Sequence, residues 1–438
     1  MYFAAPLPLA SALIGVEVQQ GSQGTWCRAL GRRQCPDADV HLAGTEREDP
    51  AVPRLQRALC VPQFQMRGDP RVGAARRRDI RACRDAVRGV PVPLPSQLLA
   101  ERRANAVGDD QRPATKSASS RGAGEYDGDY EGLKKMAEYD LSCGVTSFAP
   151  ASMTLPYDVL EKAFATGARL AEEKPAGCSR IRGIQMEGPY FSYKKRGAQN
   201  ADYLKEPDFE GFKKLFDGCG GLVRIVDIAP ELPGAAEFVK QASKLCTVSV
   251  AHTDSDYDHA RDAFSAGATH LTHLFNAMPG INHRNPGVIP AAVECPSVRA
   301  EIICDGLHIH PACIRLAFSM FGGERMIVVS DSGRCAGQSE GYQFDLGGQM
   351  AEIRGGVAKL VGSDTIACSA TNMWQCLVNC ISFGIKEEDV IRACTYNPAC
   401  ALGVQGEVGS IATGKQADFI ICSPDYAKKR IFLAGKEI

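Results

Sequence analysis

The sequence predicts an α/β fold, a (β/α)8 barrel of the TIM type, and two observations lead to this prediction. Short apolar runs alternate with amphipathic helical stretches after Gly122, which is typical of a parallel sheet covered by helices. Polar side chains stand at the ends of successive runs, where barrels place their active sites. A chain of 438 residues is long enough for such a barrel and a small second domain.

Seven apolar runs are interpreted as strands of this barrel. They are residues 145–151, 181–187, 222–229, 248–252, 270–276, 300–308 and 326–331. Amphipathic segments at 157–173, 209–216, 235–245, 257–266 and 311–321 separate them and predict helices. Because a complete barrel has eight strands, the barrel lacks a proper first strand, which should lie immediately before Gly122.

Residues 1–121 differ sharply in composition from the rest. They contain 18 Arg and one Lys, and their 19 basic and 12 acidic residues give a net charge of +7. Three interpretations compete: a disordered basic arm that contacts nucleic acid or anionic surfaces, a targeting segment, or a gene-model artefact such as a shifted reading frame. We favour the artefact. The proportion of arginine to lysine changes abruptly between residues 1–121 and the rest of the chain, which indicates that the two parts did not evolve as one coding sequence.

The whole-chain composition excludes several classes of protein. A net charge of −1 excludes a chain whose overall role is to coat nucleic acid or an anionic membrane. No apolar run reaches the length of a transmembrane helix. The 18 cysteines include no C-x-x-C pair, so we expect free thiols in a reducing compartment and a cytoplasmic protein without nucleic-acid or membrane partners.

Five predicted strands carry a side chain that can bind metal or move protons. These side chains are Glu187, His252, His273, His308 and Asp331. Convergence at one end of successive strands favours a functional site over isolated core histidines. On one strand His270 and His273 would point to opposite faces, so we expect His273 to face the interior and His270 to face outward or to pack against a helix.

Glu187, His252 and His273 form a set of two histidines and one carboxylate. Such a set leaves a coordination position open for water or substrate, as catalytic zinc sites require, and other first-row divalent ions fit it as well. A metal there acidifies water and polarises a carbonyl. Asp331 can take the proton of that water and pass it to a leaving nitrogen, so the sequence predicts hydrolysis of a carbon–nitrogen bond.

The stretch from Gly122 to the carboxyl terminus resembles the amidohydrolase superfamily and, within it, the N-acetylglucosamine-6-phosphate deacetylases. The resemblance rests on QMEGPY at 185–190, KRGAQN at 195–200, VAHT at 250–253, HLFNAMP at 273–279, RNPG at 284–287, DGLH at 305–308, VSDS at 329–332 and GSIATGKQAD at 409–418. The asparagine-containing motif at 276–279 and the DGLH motif are specific to these deacetylases.

This resemblance implies an activity and a role for each matching residue. It implies deacetylation of N-acetylglucosamine 6-phosphate by a cytoplasmic homodimer with one divalent ion per chain, preferably zinc, with iron, cobalt or manganese as alternatives. Glu187, His252 and His273 would hold the metal, Asp331 would transfer protons, and His308 would contact the substrate near the reacting group. The other implied substrate contacts are Ala198, Gln199, Asn276, Ala277, Arg284 and a turn formed by Ile366, Ala367 and Cys368, where the family often has glycine in place of Cys368.

The departures from the family pattern concern the amino terminus. The His-x-His pair that many amidohydrolases carry on the first strand would align near Ser119 and Arg121, which cannot replace it. Residues 122–405 are therefore predicted to form the barrel, and residues 406–438 the carboxyl-terminal part of a small β-sandwich that lacks its amino-terminal partners. We expect impaired folding or activity from such a chain.

Three alternatives remain open at this point. The galactosamine epimer is a second substrate candidate, because the motifs do not fix the stereochemistry of one hydroxyl. A non-catalytic relative that binds the sugar phosphate would keep Arg284 and His308. Arg284 and Asn276 also have plain structural interpretations, as a surface ion pair and as a residue that caps a turn.

Overall fold

The structure, a computed structural model, describes residues 129–438 together with three short strands near the amino terminus. These strands are β1 (Tyr2–Phe3), β2 (Gly15–Gly21) and β3 (Gly24–Ala29). The interpretation of residues 1–121 as an artefact falls mostly outside the described residues. It therefore stays a prediction.

Strands and helices alternate from residue 130 to residue 329. The strands are β4 (Ser147–Phe148), β5 (Arg180–Ile181), β6 (Ile184–Met186), β7 (Val223–Ile228), β8 (Thr247–Val250), β9 (His270–Leu271), β10 (Arg299–Ile303) and β11 (Met326–Val329). The helices are α1 (Tyr130–Ser142), α2 (Tyr157–Glu173), α3 (Phe209–Gly218), α4 (Ala235–Ala242), α5 (Tyr257–Ala266), α6 (Val288–Glu294) and α7 (Pro311–Phe321). Each of the seven predicted strands lies at its predicted place, the second being divided into β5 and β6.

These strands pair in parallel and in chain order. Six of them form one sheet in the order β11-β10-β9-β8-β7-β6, while β4 pairs with β5. A parallel bridge between Ala151 and Gln185 extends this pairing to β6. The parallel sheet covered by helices is thus confirmed, and it is consistent with a TIM-like barrel.

Local sequence explains where the helices begin and which face they bury. The side chain of Asp208 accepts a hydrogen bond from the backbone N–H of Gly211 at the start of α3, and Asp256 does the same for His259 in α5. Such caps satisfy N–H groups that have no partner inside the helix. In α2, Leu160, Ala163, Phe164, Gly167 and Leu170 recur at helical spacing and are buried, so this face packs against the sheet.

A second sheet, which the sequence analysis missed, follows β11. Its antiparallel strands are β12 (Gln343–Leu346), β13 (Gln349–Arg354), β14 (Val357–Leu360) and β15 (Ile366–Ser369), in that order. Two-glycine turns at 347–348 and 355–356 connect β12 to β13 and β13 to β14, with φ of 59° and 84° in the first. Glycine suits such turns because both positions need positive φ. Three helices come next: α8 (Met373–Ser382), α9 (Glu387–Ala393) and α10 (Tyr396–Ala401).

The carboxyl-terminal strands belong to a third sheet. These strands are β16 (Phe419–Cys422), β17 (Lys429–Leu433) and β18 (Lys436–Glu437), and the sheet order is β18-β17-β16-β1-β2-β3. Phe3 lies opposite Cys422 in the antiparallel pair of β1 and β16. The expectation that these strands lack amino-terminal partners is therefore wrong. Strands within the first 29 residues supply the pairing.

Two further expectations concern membrane helices and cysteines in the part of the chain that the structure describes. None of the helices in the described residues is both long and apolar enough to cross a membrane. All 14 cysteines between residues 129 and 438 are free thiols, which agrees with the prediction for this part of the chain.

Candidate active site

A cavity of about 260 Å³ lies beyond the carboxyl ends of the parallel strands. Helix α1 lines part of this cavity. Two segments at the ends of β4 and β11 line another part, residues 148–153 and residues 329–334. Its polar lining includes Gln185, Glu187, Gln199, Thr272, His273, Glu301 and Asp331. Side chains from separate strands thus meet in one cavity, as the sequence predicts.

Glu187, His252 and His273 bring their polar atoms together at one point. His252 Nε2 lies 3.1 Å from Glu187 Oε1 and 3.1 Å from His273 Nε2, and His273 Nε2 lies 3.7 Å from Glu187 Oε1. One ligand atom from each residue lies within 4.8 Å of the others. Two imidazole nitrogens and a carboxylate oxygen are donors that a divalent transition metal accepts, so this group could hold a metal ion.

The two histidines and Asp331 lie just past their strands, not within them. Their φ values are 43° for His252, 33° for His273 and 46° for Asp331. This left-handed region is unfavourable for residues with a Cβ, and such strain gathers at functional sites. The predicted strands over 248–252 and 270–276 are therefore too long, because the chain turns sharply at the residues that enter the cavity.

Neighbouring groups fix the orientation of His252 and Glu187. His252 Nδ1 lies 3.0 Å from the Lys195 carbonyl oxygen, and the Phe191 ring stacks on the imidazole at 4.4 Å. The Lys195 carbonyl can only accept, so Nδ1 of His252 carries the proton and Nε2 is left as the ligand atom. Gln199 donates from Nε2 to Glu187 Oε1 at 3.1 Å, and its own oxygen accepts from the Thr154 N–H at 2.8 Å.

These contacts set the charges of the metal-free group. Burial opposes the ionisation of Glu187, but the hydrogen bonds with His252 and His273 outweigh it and lower the pKa of Glu187 to about 2. Burial lowers the pKa of His252. Burial acts in the same direction on His273, but the adjacent Glu187 carboxylate outweighs it and raises the pKa of His273 to about 9. The site therefore holds one carboxylate and one imidazolium at neutral pH, and a cation takes the place of the imidazolium proton.

Asp331 is half-buried on the wall of the cavity. Burial, followed by the nearby negative charge of Glu187, raises the pKa of Asp331 to about 6. Its backbone oxygen accepts a hydrogen bond of 2.8 Å from the N–H of Ser369 in β15. A carboxyl group with a pKa this close to neutrality both accepts and donates a proton readily.

His308 and Arg284 lie in loops near the same end of the strands. β10 ends at Ile303, so His308 stands five residues beyond it and not at the strand end that the sequence predicts. Its Nδ1 lies 2.6 Å from Asp305 Oδ2, and the side chain is only 5% exposed. Arg284 is exposed and forms no ion pair within residues 129–438, so the interpretation of Arg284 as a surface ion pair has no support there.

The loop after β9 holds Asn276 and Ala277. Asn276 donates from Nδ2 to the carbonyl oxygens of His273 and Leu274, at 3.2 and 3.4 Å. It is therefore a turn-stabilising residue, which was one of its two interpretations. Ala277 has a φ of 50°, and its carbonyl accepts from the Thr253 N–H at 3.1 Å. This turn ties the loop carrying His273 to the loop carrying His252.

The remaining predicted substrate contacts divide into two groups. Ala367 and Cys368 line the cavity, but the stretch from Ile366 to Ser369 is strand β15 and not the turn that the resemblance implies. The carbonyl of Ala198 accepts from Gln349 Nε2 of β13 at 2.7 Å. Neither Ile366 nor Ala198 is among the residues that line the cavity.

Sequence reasoning missed an inner layer of polar side chains. Gln185 Nε2 lies 3.1 Å from Asp227 Oδ2, and Thr272 Oγ1 donates to the same carboxylate at 3.2 Å. His270 Nε2 lies 3.0 Å from Glu301 Oε1. His270 is buried beside this cavity-lining glutamate, so it does not face solvent, which was one of the two positions that the sequence allowed. The chain leaves the strand at Leu271, and the two-residue alternation does not extend to His273. Polar residues inside otherwise apolar strands were the available signal for this layer.

Comparisons with known proteins identify relatives over the same part of the chain. The sequence profile of the amidohydrolase family matches residues 127–438. The N-acetylglucosamine-6-phosphate deacetylase of Bacillus subtilis is 34% identical over 308 residues, which are 69% of this chain and 77% of that protein. The N-acetylgalactosamine-6-phosphate deacetylase of Escherichia coli O157:H7 is 28% identical over 69% of this chain and 80% of that protein. The crystal structure of N-acetyl-D-glucosamine-6-phosphate deacetylase from Mycobacterium smegmatis matches with a TM-score of 0.68 and 30% identity, over 72% of this chain and 83% of that one.

Proposed function

The chain belongs to the amidohydrolase family, and we propose that it hydrolyses the acetamide of N-acetylglucosamine 6-phosphate to acetate and glucosamine 6-phosphate. The observation that carries this proposal is the convergence of Glu187, His252 and His273 on one point, with Glu187, His273 and Asp331 lining one cavity. The names of the Bacillus and Mycobacterium relatives supply the substrate. We also propose that the chain acts in the cytoplasm as a homodimer.

Glu187, His252 and His273 are the residues that would hold a divalent cation, with zinc preferred and iron, cobalt or manganese as alternatives. Their donor atoms suit these ions, and the contact of Gln199 with Glu187 is the kind of outer support that metal ligands need. A bound divalent cation would polarise the acetamide carbonyl and lower the pKa of the attacking water.

Asp331 is the proton carrier in this proposal. Its carboxylate takes a proton from the attacking water and then returns that proton to the nitrogen of the leaving amine. The pKa of Asp331, raised by burial to about 6, supports both transfers near neutral pH. His308 is proposed to contact the acetamide, with its imidazole held by Asp305.

The substrate would be oriented by residues around the cavity mouth. The exposed guanidinium of Arg284 suits a phosphate because its planar donors bind phosphate oxygens in pairs. We propose further contacts from the loops carrying Ala198, Gln199, Asn276 and Ala277, and from Ile366, Ala367 and Cys368. We also propose that the barrel lacks an ordinary first strand, which would keep turnover below that of the Bacillus relative.

The test is acetate release by the purified full-length chain loaded with zinc. The proposal expects metal-dependent release of acetate together with a free amine from N-acetylglucosamine 6-phosphate, and a strongly reduced release from the Asp331→Asn variant. The galactosamine epimer, assayed in parallel, decides between the two substrates. Binding of the sugar phosphate in calorimetry without any acetate release would contradict the proposal and favour a non-catalytic binding protein.

A further inference from the structure

Two thiols lie in contact behind the wall of the cavity. The sulfur atoms of Cys335 and Cys368 are 3.6 Å apart, although the residues are 33 positions apart in sequence. Cys368 lies in β15 and lines the cavity, while Cys335 lies in the turn after Asp331 and is completely buried. One sulfur therefore faces the space that small molecules enter, and the other stands directly behind it.

Hydrogen bonds hold the pair in this arrangement. Cys335 Sγ lies 3.4 Å from the carbonyl oxygen of Ser369. The hydrogen bond from Cys368 lowers the pKa of the Cys335 thiol, while the same contact and burial raise the pKa of Cys368. Cys335 is therefore the thiol of the pair that more readily attacks as a thiolate. Cys368 is only 6% exposed, so an oxidant must reach it through the cavity that it lines. A second thiol beside it can then resolve the oxidised sulfur.

We propose that Cys335 and Cys368 form a disulfide when a small hydroperoxide enters the cavity. The Cys368 sulfur attacks one peroxide oxygen and becomes a sulfenic acid, with release of water in the case of hydrogen peroxide. The Cys335 thiolate then attacks the Cys368 sulfur, a second water leaves, and the S–S bond forms. The two thiols lose two electrons and two protons in total, and the peroxide accepts them.

The bond would alter the position of Asp331. An S–S bond is about 2.05 Å long, so the sulfurs must approach each other from 3.6 Å. The turn that carries Cys335 also comes close to Cys368 at Gly333, where a Cβ would lie 2.9 Å from Cys368 Sγ. The Asp331 carbonyl is bonded to Ser369, the residue after Cys368. The turn and the catalytic aspartate therefore move together, and a loss of deacetylation follows if the proposed function holds.

The experiment treats the zinc-loaded full chain with hydrogen peroxide and maps its disulfides by mass spectrometry of peptides. The expected result is a peptide pair joined through Cys335 and Cys368 that dithiothreitol separates. The Cys335→Ser variant should yield no such pair, and Cys335→Ala provides a second variant if the first folds poorly. Cys313→Ser, which removes an exposed thiol on α7, is the control and should leave the pair intact.

Disulfide mapping by mass spectrometry does not depend on the enzymatic assay. Failure of the proposed function and failure of this inference are therefore distinguishable. Where acetate release is measurable, peroxide should reduce it at least tenfold in the wild type, dithiothreitol should restore it, and Cys335→Ser should resist the loss. Oxidation confined to other cysteines, or a peroxide effect that persists in Cys335→Ser and Cys335→Ala, would overturn the proposal.

Discussion

Asp331 owes its properties to its immediate surroundings. It leaves the end of β11 in a left-handed backbone conformation, with a φ of 46°. The same turn places its carboxyl beside Glu187, whose charge adds to the effect of burial on the pKa of Asp331. The sharp turn therefore places the Asp331 carboxyl group where burial, followed by the charge of Glu187, raises its pKa to about 6.

Replacing Asp331 with Asn should separate proton transfer from metal binding. The amide keeps the size of the side chain but neither accepts nor returns the proton, so kcat should fall by about 10²–10⁴-fold. The metal content should not change, since Asp331 is not among the three converging ligands. Steady-state acetate release, combined with metal analysis of the same preparation, checks this prediction. Near-normal turnover would remove Asp331 from the reaction.

The pH dependence of catalysis should have an acidic limb. The attacking water needs an ionised base, so kcat/KM should decrease as the pH falls through the pKa of Asp331. That pKa is about 6 in the metal-free protein, and a bound cation favours the charged form, so the midpoint should lie at or below this value. A pH–rate profile tests this. A limb in the opposite direction, with activity rising on acidification, would contradict the assignment.

Gln199 should strengthen metal binding without touching the ion. It donates to Glu187 Oε1 and accepts from Thr154, so Gln199→Ala frees the carboxylate and should weaken zinc affinity by about 10–100-fold. Competition with a chelator measures the affinity. Asn200→Ala is a matched control, because the amide of Asn200 donates to Gly347 instead. Equal losses in both variants would point to a general disturbance of the loop.

At this scale the residue types and their positions were enough to find the centre of the site. Glu187, His252, His273 and Asp331 could be predicted because each lies in or at the end of an apolar run. The contact of Gln199 with Glu187 could not, since it depends on how a loop folds back over 12 residues. The buried position of His270 was also beyond reach, because its geometry depends on where β9 ends.

The elements of secondary structure were predictable where hydrophobic patterns were long. The strands of the parallel sheet lie where the apolar runs predict them, but several runs extend past the ends of the strands. At His252, His273 and Asp331 the chain turns in a left-handed conformation, and β10 ends at Ile303, five residues before His308. The sheet of β12 to β15 was missed although the glycine pairs at 347–348 and 355–356 marked its turns. Its strands β12 and β13 span only four and six residues, and exposed Met350 interrupts the alternation in β13, so the pattern was short.

The first of these turns provides a prediction on stability. Gly348 has a φ of 84°, so Gly348→Ala should lower the free energy of unfolding by about 1 kcal/mol. Gly218→Ala is the matched control, because Gly218 ends α3 with ordinary helical geometry and open space around its Cβ position. The control should be neutral or stabilising, by up to about 1 kcal/mol. Chemical denaturation of both variants decides, and equal effects would contradict the role given to the turn.

At the scale of the whole molecule, pairing with the amino-terminal strands is the main departure from expectation. Composition alone suggested that residues 1–121 contribute nothing to the fold, yet β1 pairs with β16. Pairing between distant segments depends on main-chain geometry, to which residue composition is a poor guide. The parallel sheet, the cavity and the converging ligands all belong to residues 129–438, so the proposed chemistry depends on that part of the chain.

The central claim is that Glu187, His252 and His273 form a metal centre. Its most direct test is the metal content of the dialysed protein, measured by elemental mass spectrometry. We predict about one divalent ion per chain, as expected for a mononuclear site, in the wild type and in Asp331→Asn. We predict almost none in the His252→Ala/His273→Ala double variant, once circular dichroism shows that it is folded. A wild-type chain without stoichiometric metal, or a folded double variant that retains it, would contradict the claim that these side chains form a metal centre.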